Sequence, residues 1–204
     1  MTDTPSARAA WGSAVRGRLL QRPDVTKVPA PSLDIFILRN FLTEEECVAL
    51  IAMIEADRKP SKLMTDAPDS KFRTSETCNF DPEAAVVLAI EARLHDLLGI
   101  DPSHGERLQG QRYAVGQEFK PHHDYLRPTS PYWARQQQIG GQRTWTAMAF
   151  LNVPDEGGET FFPKLRLKLP PRRGSLVVWN NLDEQGEPNG HSLHQGLQVR
   201  AGIK

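Results

Sequence analysis

The stretch Gly116-Gln-Glu-Phe-Lys-Pro-His-His-Asp-Tyr125 decides how the rest of the chain is read. If it is extended, its side chains alternate between two faces, so His122 and Asp124 point one way and His123 the other. An imidazole and a carboxylate two apart on one strand grip one face of a divalent metal. Burying that carboxylate without a cation or hydrogen-bond donors is costly, and a metal gives the pair a reason to share a face. Two donors do not hold iron, and the third lies far downstream, in Ser192-Leu-His-Gln-Gly-Leu-Gln-Val-Arg-Ala-Gly-Ile-Lys204. His194 is the choice there, with His191, three residues earlier and on the opposite strand face, as its competitor. Spacing alone does not decide between them. Lys204 stands an even ten residues after His194, an offset that keeps the two facing alike if the segment is extended. Two imidazoles and one carboxylate, with the other positions open, suit non-haem Fe(II).

Working outward, a chain of 204 residues fits one domain with a real core. Lys plus Arg and Asp plus Glu number 25 each, so no net charge favours a polyanionic partner, and nucleic acid is not expected. Cys47 and Cys78 have no paired spacing, which argues against a disulfide framework. No apolar run has the length of a signal peptide or a membrane span, and a soluble, cytoplasmic setting with no membrane partner is the expectation. Oligomeric state is left open.

In chain order, residues 1–30 read as an N-terminal extension, with a helix near Arg8–Leu20 followed by a Pro-rich linker, and residues 31–204 as the domain proper. Leu33–Phe41 reads as a buried strand. Thr43 with Glu46 forms a capping box opening a helix whose Cys47, Leu50, Ile51 and Ile54 recur at helical spacing. A loop is expected over Lys59–Ser70, then a strand in FRTSETCNF. Asp81 and Pro82 predict the N-cap and first turn of a second helix running to Leu98, with Gly99 closing it. From about residue 106 the texture changes to seven or so short strands broken by Gly and Pro. Helices followed by such strands give an α+β domain whose catalytic core, 106–204, is a sandwich or jelly roll. The polar stretch Leu126–Gly141 shows no regular pattern and reads as a lid or binding loop, with Gly140-Gly141 as hinge and Tyr132 and Trp133 as side chains to lay over a substrate.

The order Tyr113-x-x-Gly116-Gln117-x-Phe119-x-x-His122-x-Asp124, followed by GGQRTWTAMAFLN, GGETFFP, PRRGSLVVWN and SLHQG…V…GIK, resembles the prolyl 4-hydroxylase branch of the Fe(II)/2-oxoglutarate dioxygenases, over roughly Leu33 to Lys204. The resemblance implies a double-stranded β-helix, a jelly-roll or cupin-like core, buttressed by the N-terminal helices. It implies that His122, Asp124 and His194 ligate Fe(II), that Lys204 holds the distal carboxylate of 2-oxoglutarate, and that Tyr113 and Thr160 contact the same co-substrate. With O2, such an enzyme converts 2-oxoglutarate to succinate and CO2 and hydroxylates a C–H bond, with ascorbate as reductant. Asp124 favours hydroxylation, since halogenating relatives lack this carboxylate. Arg143 and Trp179 resemble substrate-side residues, against the alternative that Trp179 is barrel core and Arg143 a rim charge. A prolyl residue in a peptide or protein is the implied target; a free amino acid or small metabolite is the alternative, and a non-catalytic binding or sensing module the rival from another class. Family members continue past this lysine with an aromatic residue, whereas the sequence stops at Lys204. An anchor at a chain end frays unless tied down, so the sequence is either a trimmed piece or carries an unusually open pocket.

Overall fold

The computed structural model describes residues 3–62, 71–127 and 129–204, so part of the loop expected over Lys59–Ser70 lies outside the described residues. The order is α1 Pro5–Leu20, β1 Val25–Lys27, β2 Ile35–Leu38, α2 Glu44–Asp57, β3 Lys59–Pro60, β4 Glu76–Asn79, α3 Ala85–Leu98, β5 Gln109–Arg112 and β6 Phe119–His122. There follow α4 Trp133–Ile139, β7 Trp145–Ala149, β8 Glu156–Gly157, β9 Thr160–Phe162, β10 Leu167–Leu169, β11 Leu176–Asn180, β12 His194–Gly196 and β13 Val199–Ala201.

Two four-stranded antiparallel sheets, β1-β2-β11-β7 and β10-β9-β12-β6, form the jelly roll, with short β13-β8 and β3-β4-β5 sheets beside them. The expected α+β class and jelly-roll core are what the structure has. Strand β11 shows why every residue in Leu-Val-Val-Trp-Asn is buried. It pairs with β2 in the register Leu176↔Leu38, Val177↔Ile37, Val178↔Phe36 and Trp179↔Ile35. Alternation sends Phe36, Leu38, Leu176 and Val178 to one face, where they join Val15 and Leu19 of α1, Cys47, Leu50 and Ile54 of α2, and Val87 and Ile90 of α3. The other face carries Ile35, Val177 and Trp179 into the space between the sheets, against Phe162 and Leu169. A strand covered on both sides reads as a continuous apolar run rather than an alternating one.

The helices follow their local signals, with two corrections. Thr43 and Glu46 form the capping box on α2: Thr43 Oγ1 accepts the Glu46 N–H at 3.2 Å, and Glu46 Oε2 accepts the Thr43 N–H at 2.9 Å. Gly99 ends α3 with a left-handed φ of 67°. Asp81, however, is not the N-cap of that helix. Its Oδ1 accepts the Glu83 N–H at 3.0 Å and its carbonyl accepts the Ala84 N–H at 3.1 Å, so an Asx turn intervenes and the helix starts at Ala85. The stretch expected to be extension and linker is likewise built into the body: α1 buries Val15 and Leu19, and Val25–Lys27 is strand β1, paired with β2. Among the described residues no helix is long and apolar enough to cross a membrane.

The small sheet presses closely on α2. A Cβ at the buried Gly110 of β5 would collide with Ile54 and come within 2.8 Å of Phe80 Cζ. Gly110→Ala is therefore expected to cost about 1–3 kcal/mol by overpacking, read as a lower urea midpoint at unchanged slope.

Candidate active site

His122 closes β6 and His194 opens β12, and the two stand directly opposite in the antiparallel ladder. Their ring centroids are 4.3 Å apart. Each ring is oriented by a carbonyl: Nδ1 of His122 lies 2.8 Å from Lys120 O, and Nδ1 of His194 lies 2.9 Å from Ser192 O. A carbonyl only accepts, so each Nδ1 carries the proton and each Nε2 keeps its lone pair when the ring is neutral. Both Nε2 atoms face Asp124, His122 at 3.7 Å from Oδ1 and His194 at 3.7 Å from Oδ2. These donor atoms all lie within 4.8 Å of one another.

The electrostatics keep this donor set available. Burial lowers His122 to about 3, with His194 adding to the effect, so its imidazole is neutral at physiological pH. Burial opposes the charge of Asp124, but the imidazoles of His194 and His122 and the hydroxyl of Thr146 outweigh it and hold the carboxyl below its usual range. The Nε2 atoms of both rings thus face one carboxylate, while each Nδ1–H is already committed to a carbonyl. That chemistry fits a divalent metal with two imidazoles and one carboxylate.

The side chains around these three are mostly aromatic. Phe119 stacks on His122 at 3.5 Å, and Trp179 meets His194 edge-on at 4.9 Å. His123 points elsewhere, stacked on Tyr125 with Nδ1 3.3 Å from Ser192 Oγ. His191 is exposed in a 3-10 turn, Gly190–Ser192. Among the described residues it is His194, not His191, that converges with His122 and Asp124.

Lys204 follows β13 and packs against Tyr113 and Phe150. Its Nζ lies 5.3 Å from the ring centroids of both Tyr113 and Phe150. Its backbone is tied down, against the fraying expected of a terminal anchor: its N–H donates to Tyr113 O at 3.0 Å and its carbonyl accepts the Tyr113 N–H at 2.7 Å. Burial lowers its ammonium to about 8, with Glu159 pulling the other way. Burial also raises the Tyr113 hydroxyl, which stays protonated and able to donate. Thr160, almost wholly buried, pairs with Gly196 on β12, and a Cβ at Gly196 would lie 3.9 Å from Tyr113 Oη. Lys204 thus packs on Tyr113, and Thr160 stands across the β9–β12 pair from Gly196, close to the Tyr113 hydroxyl.

The proposed substrate-side residues divide. Trp179 is 1% exposed and belongs to the barrel core, where it meets His194 edge-on. Arg143 stands at the rim in a bidentate pair with Glu106, at 2.5 and 2.9 Å. Tyr132 and Trp133 are half-buried at the start of α4, so the stretch expected to lack regular structure contains a two-turn helix. Its stem is closed by the buried Gln142, which accepts the Leu126 N–H at 2.8 Å and donates to Leu126 O at 2.7 Å. Two further residues, Thr146 and Asn181, were not singled out from the sequence. Thr146 donates to Asp124 at 2.6 Å, and Asn181 donates to Thr146 at 2.8 Å.

Comparison with known proteins agrees with this geometry. The profile of the 2OG-Fe(II) oxygenase superfamily matches residues 108–204. Prolyl 4-hydroxylase 5 of Arabidopsis thaliana is 33% identical over 194 residues, covering 82% of this chain and 64% of that protein. The chain therefore spans somewhat under two thirds of the length of this plant relative. Prolyl 4-hydroxylase subunit alpha-1 of Rattus norvegicus is 34% identical over 150 residues, covering 72% of this chain and 27% of the subunit. The viral collagen prolyl hydroxylase of Paramecium Bursaria Chlorella virus-1, solved as its 2OG complex, superposes with a TM-score of 0.65 at 30% identity, covering 83% of this chain and 91% of that one. The chain belongs to the 2OG-Fe(II) oxygenases, in their prolyl 4-hydroxylase-like branch.

Proposed function

We propose that this protein is an Fe(II)- and 2-oxoglutarate-dependent hydroxylase of prolyl residues in a peptide or protein. The observation that carries the proposal is the convergence of one donor atom each from His122, Asp124 and His194 within 4.8 Å. His122, Asp124 and His194 would hold the iron, and Lys204, Tyr113 and Thr160 the 2-oxoglutarate. When bound, iron and 2-oxoglutarate together supply the oxidising chemistry: O2 is consumed, the 2-oxo acid becomes succinate and CO2, and a C–H bond becomes C–OH. The protein's own work is placement. The Nδ1–H bonds to Lys120 O and Ser192 O aim both imidazoles. Lys204 offers a charge-assisted partner to the distal carboxylate, which would otherwise be buried unpaired. Trp179, Phe162 and Phe119 wall the site with apolar surface.

A peptide substrate is supported by the relatives' printed names and by a solved prolyl hydroxylase from Trichoplax adhaerens in complex with a peptide fragment. Tyr132 and Trp133 on the helical loop and Arg143 at the rim would meet such a chain. The test measures succinate formed from 2-oxoglutarate, with ascorbate as reductant, in the presence of proline-rich peptides or free L-proline. Peptide stimulation of several-fold, with the peptide gaining the mass of one oxygen, is expected. Stimulation by free proline alone would shift the substrate class to a small metabolite, and iron binding with no turnover on either would leave a binding module.

A further inference from the structure

The three converging side chains are not held alike. His122 and His194 sit on paired strands, in register, with their rings aimed by carbonyls. Asp124 lies on a bend two residues past the end of β6, outside the ladder. Its carboxylate depends on side-chain contacts for its orientation, and the contact comes from the opposite sheet. Thr146 of β7 bonds Oδ2 at 2.6 Å, the short end of the range for O–H···O⁻.

The direction of that contact is fixed by chemistry. An ionised carboxylate only accepts, so the single hydroxyl proton of Thr146 is committed to Asp124. The 2.8 Å contact between Thr146 Oγ1 and Asn181 Nδ2 must then run from the amide into the hydroxyl. Asn181 is fully buried. Its backbone is clamped on both sides, N–H to Thr144 O at 2.7 Å and carbonyl from the Asn189 N–H at 3.0 Å. The chain Asn181→Thr146→Asp124 therefore starts from a rigid base on the end of β11 and finishes on the one ligand that the ladder leaves free to turn.

Resting on the assignment of His122, Asp124 and His194 as metal ligands, we propose that Thr146, oriented by Asn181, is the positioning residue for Asp124. It fixes the carboxylate plane before the metal arrives, so that binding does not have to order this side chain. Outer partners that orient a metal ligand typically change affinity by about 10–100-fold when removed.

The experiment is anaerobic titration of the metal-free full chain with Co(II), a stand-in for Fe(II), followed by its visible absorption. Thr146→Val keeps the shape and removes the donor; Thr146→Ser restores it; Asn181→Leu leaves the hydroxyl but frees its direction. Thr146→Val is expected to bind Co(II) about 10–100-fold more weakly, Thr146→Ser within about threefold of the wild type on the same scale, and Asn181→Leu between the two. Wild-type affinity in Thr146→Val overturns the proposal, as does a Thr146→Ser no better than the valine. If the valine variant does not fold, Asn181→Leu decides alone, and wild-type affinity there overturns it. Asp124→Ala serves as the reference: a wild type that binds no better than this variant overturns the ligand assignment itself, and the positioning role with it.

Discussion

Asp124→Ala is expected to abolish succinate formation, with a loss larger than the roughly 100-fold that removing an outer partner costs. His194→Ala should do the same, and His191→Ala, three residues away, should stay within about twofold of the wild type, as surface changes usually do. The reason lies in the donor set. Each remaining pair, once Asp124 or His194 is gone, is two donors on one side of the metal, and the buried polar groups that stay behind lose the cation they were arranged around. A second readout separates lost metal from lost fold. Metal that binds only the native state raises the unfolding midpoint, so anaerobic Fe(II) should stabilise the wild type and His191→Ala but neither Asp124→Ala nor His194→Ala. If Asp124→Ala keeps both the Fe(II)-induced shift and turnover, the three residues are not the metal site.

That prediction rests on geometry the sequence reaches by a partly different route. Alternation along an extended strand pairs His122 with Asp124, yet the strand ends at His122, and Asp124 joins it because the chain bends back. Parity also places Lys204 on the side of His194, while the segment between them is broken into β12 and β13 with register shifts in both pairings. His122, Asp124 and His194 do converge, by a set of turns that spacing does not encode. Local signals fared best: the Thr43–Glu46 capping box and Gly99 need only their neighbours. Strand β1 was missed because its pairing with β2 is tertiary, and a Pro-rich run reads as linker without it. Helix α4 was missed for want of a cap, since Tyr132 makes no side-chain capping bond. Thr146 and Asn181 left no trace beyond alternation, because a threonine among β-strand residues is ordinary until its partner across the barrel is known.

Lys204 carries the second large expectation, and here the pH dependence has a definite sign. In the folded protein without co-substrate its pKa falls from 10.5 to about 8, chiefly by burial. Below pH 8 it is charged in both folded and unfolded chains, and the folded state bears the full penalty of burying it. Between about 8 and 10.5 the folded chain has shed the proton that the unfolded chain keeps, so stability rises with pH across that window, by at most roughly 3 kcal/mol. Co-substrate reverses the preference. A bound carboxylate favours the ammonium, so binding above pH 8 must first return the proton. The apparent Kd for 2-oxoglutarate should therefore be flat up to about pH 7.5 and about tenfold weaker by pH 9. His122 does not interfere, being neutral far below this range. Lys204→Arg, charged throughout, should flatten the profile, and Lys204→Met should flatten it too while weakening binding by about 10–100-fold at pH 7, the worth of one charge-assisted hydrogen bond. The measurement is anaerobic titration of the Fe(II)-loaded protein with 2-oxoglutarate at pH 7, 8 and 9. A wild-type profile that stays flat to pH 9, with Lys204→Met binding as tightly, would mean that the co-substrate's distal carboxylate is held by some other cation.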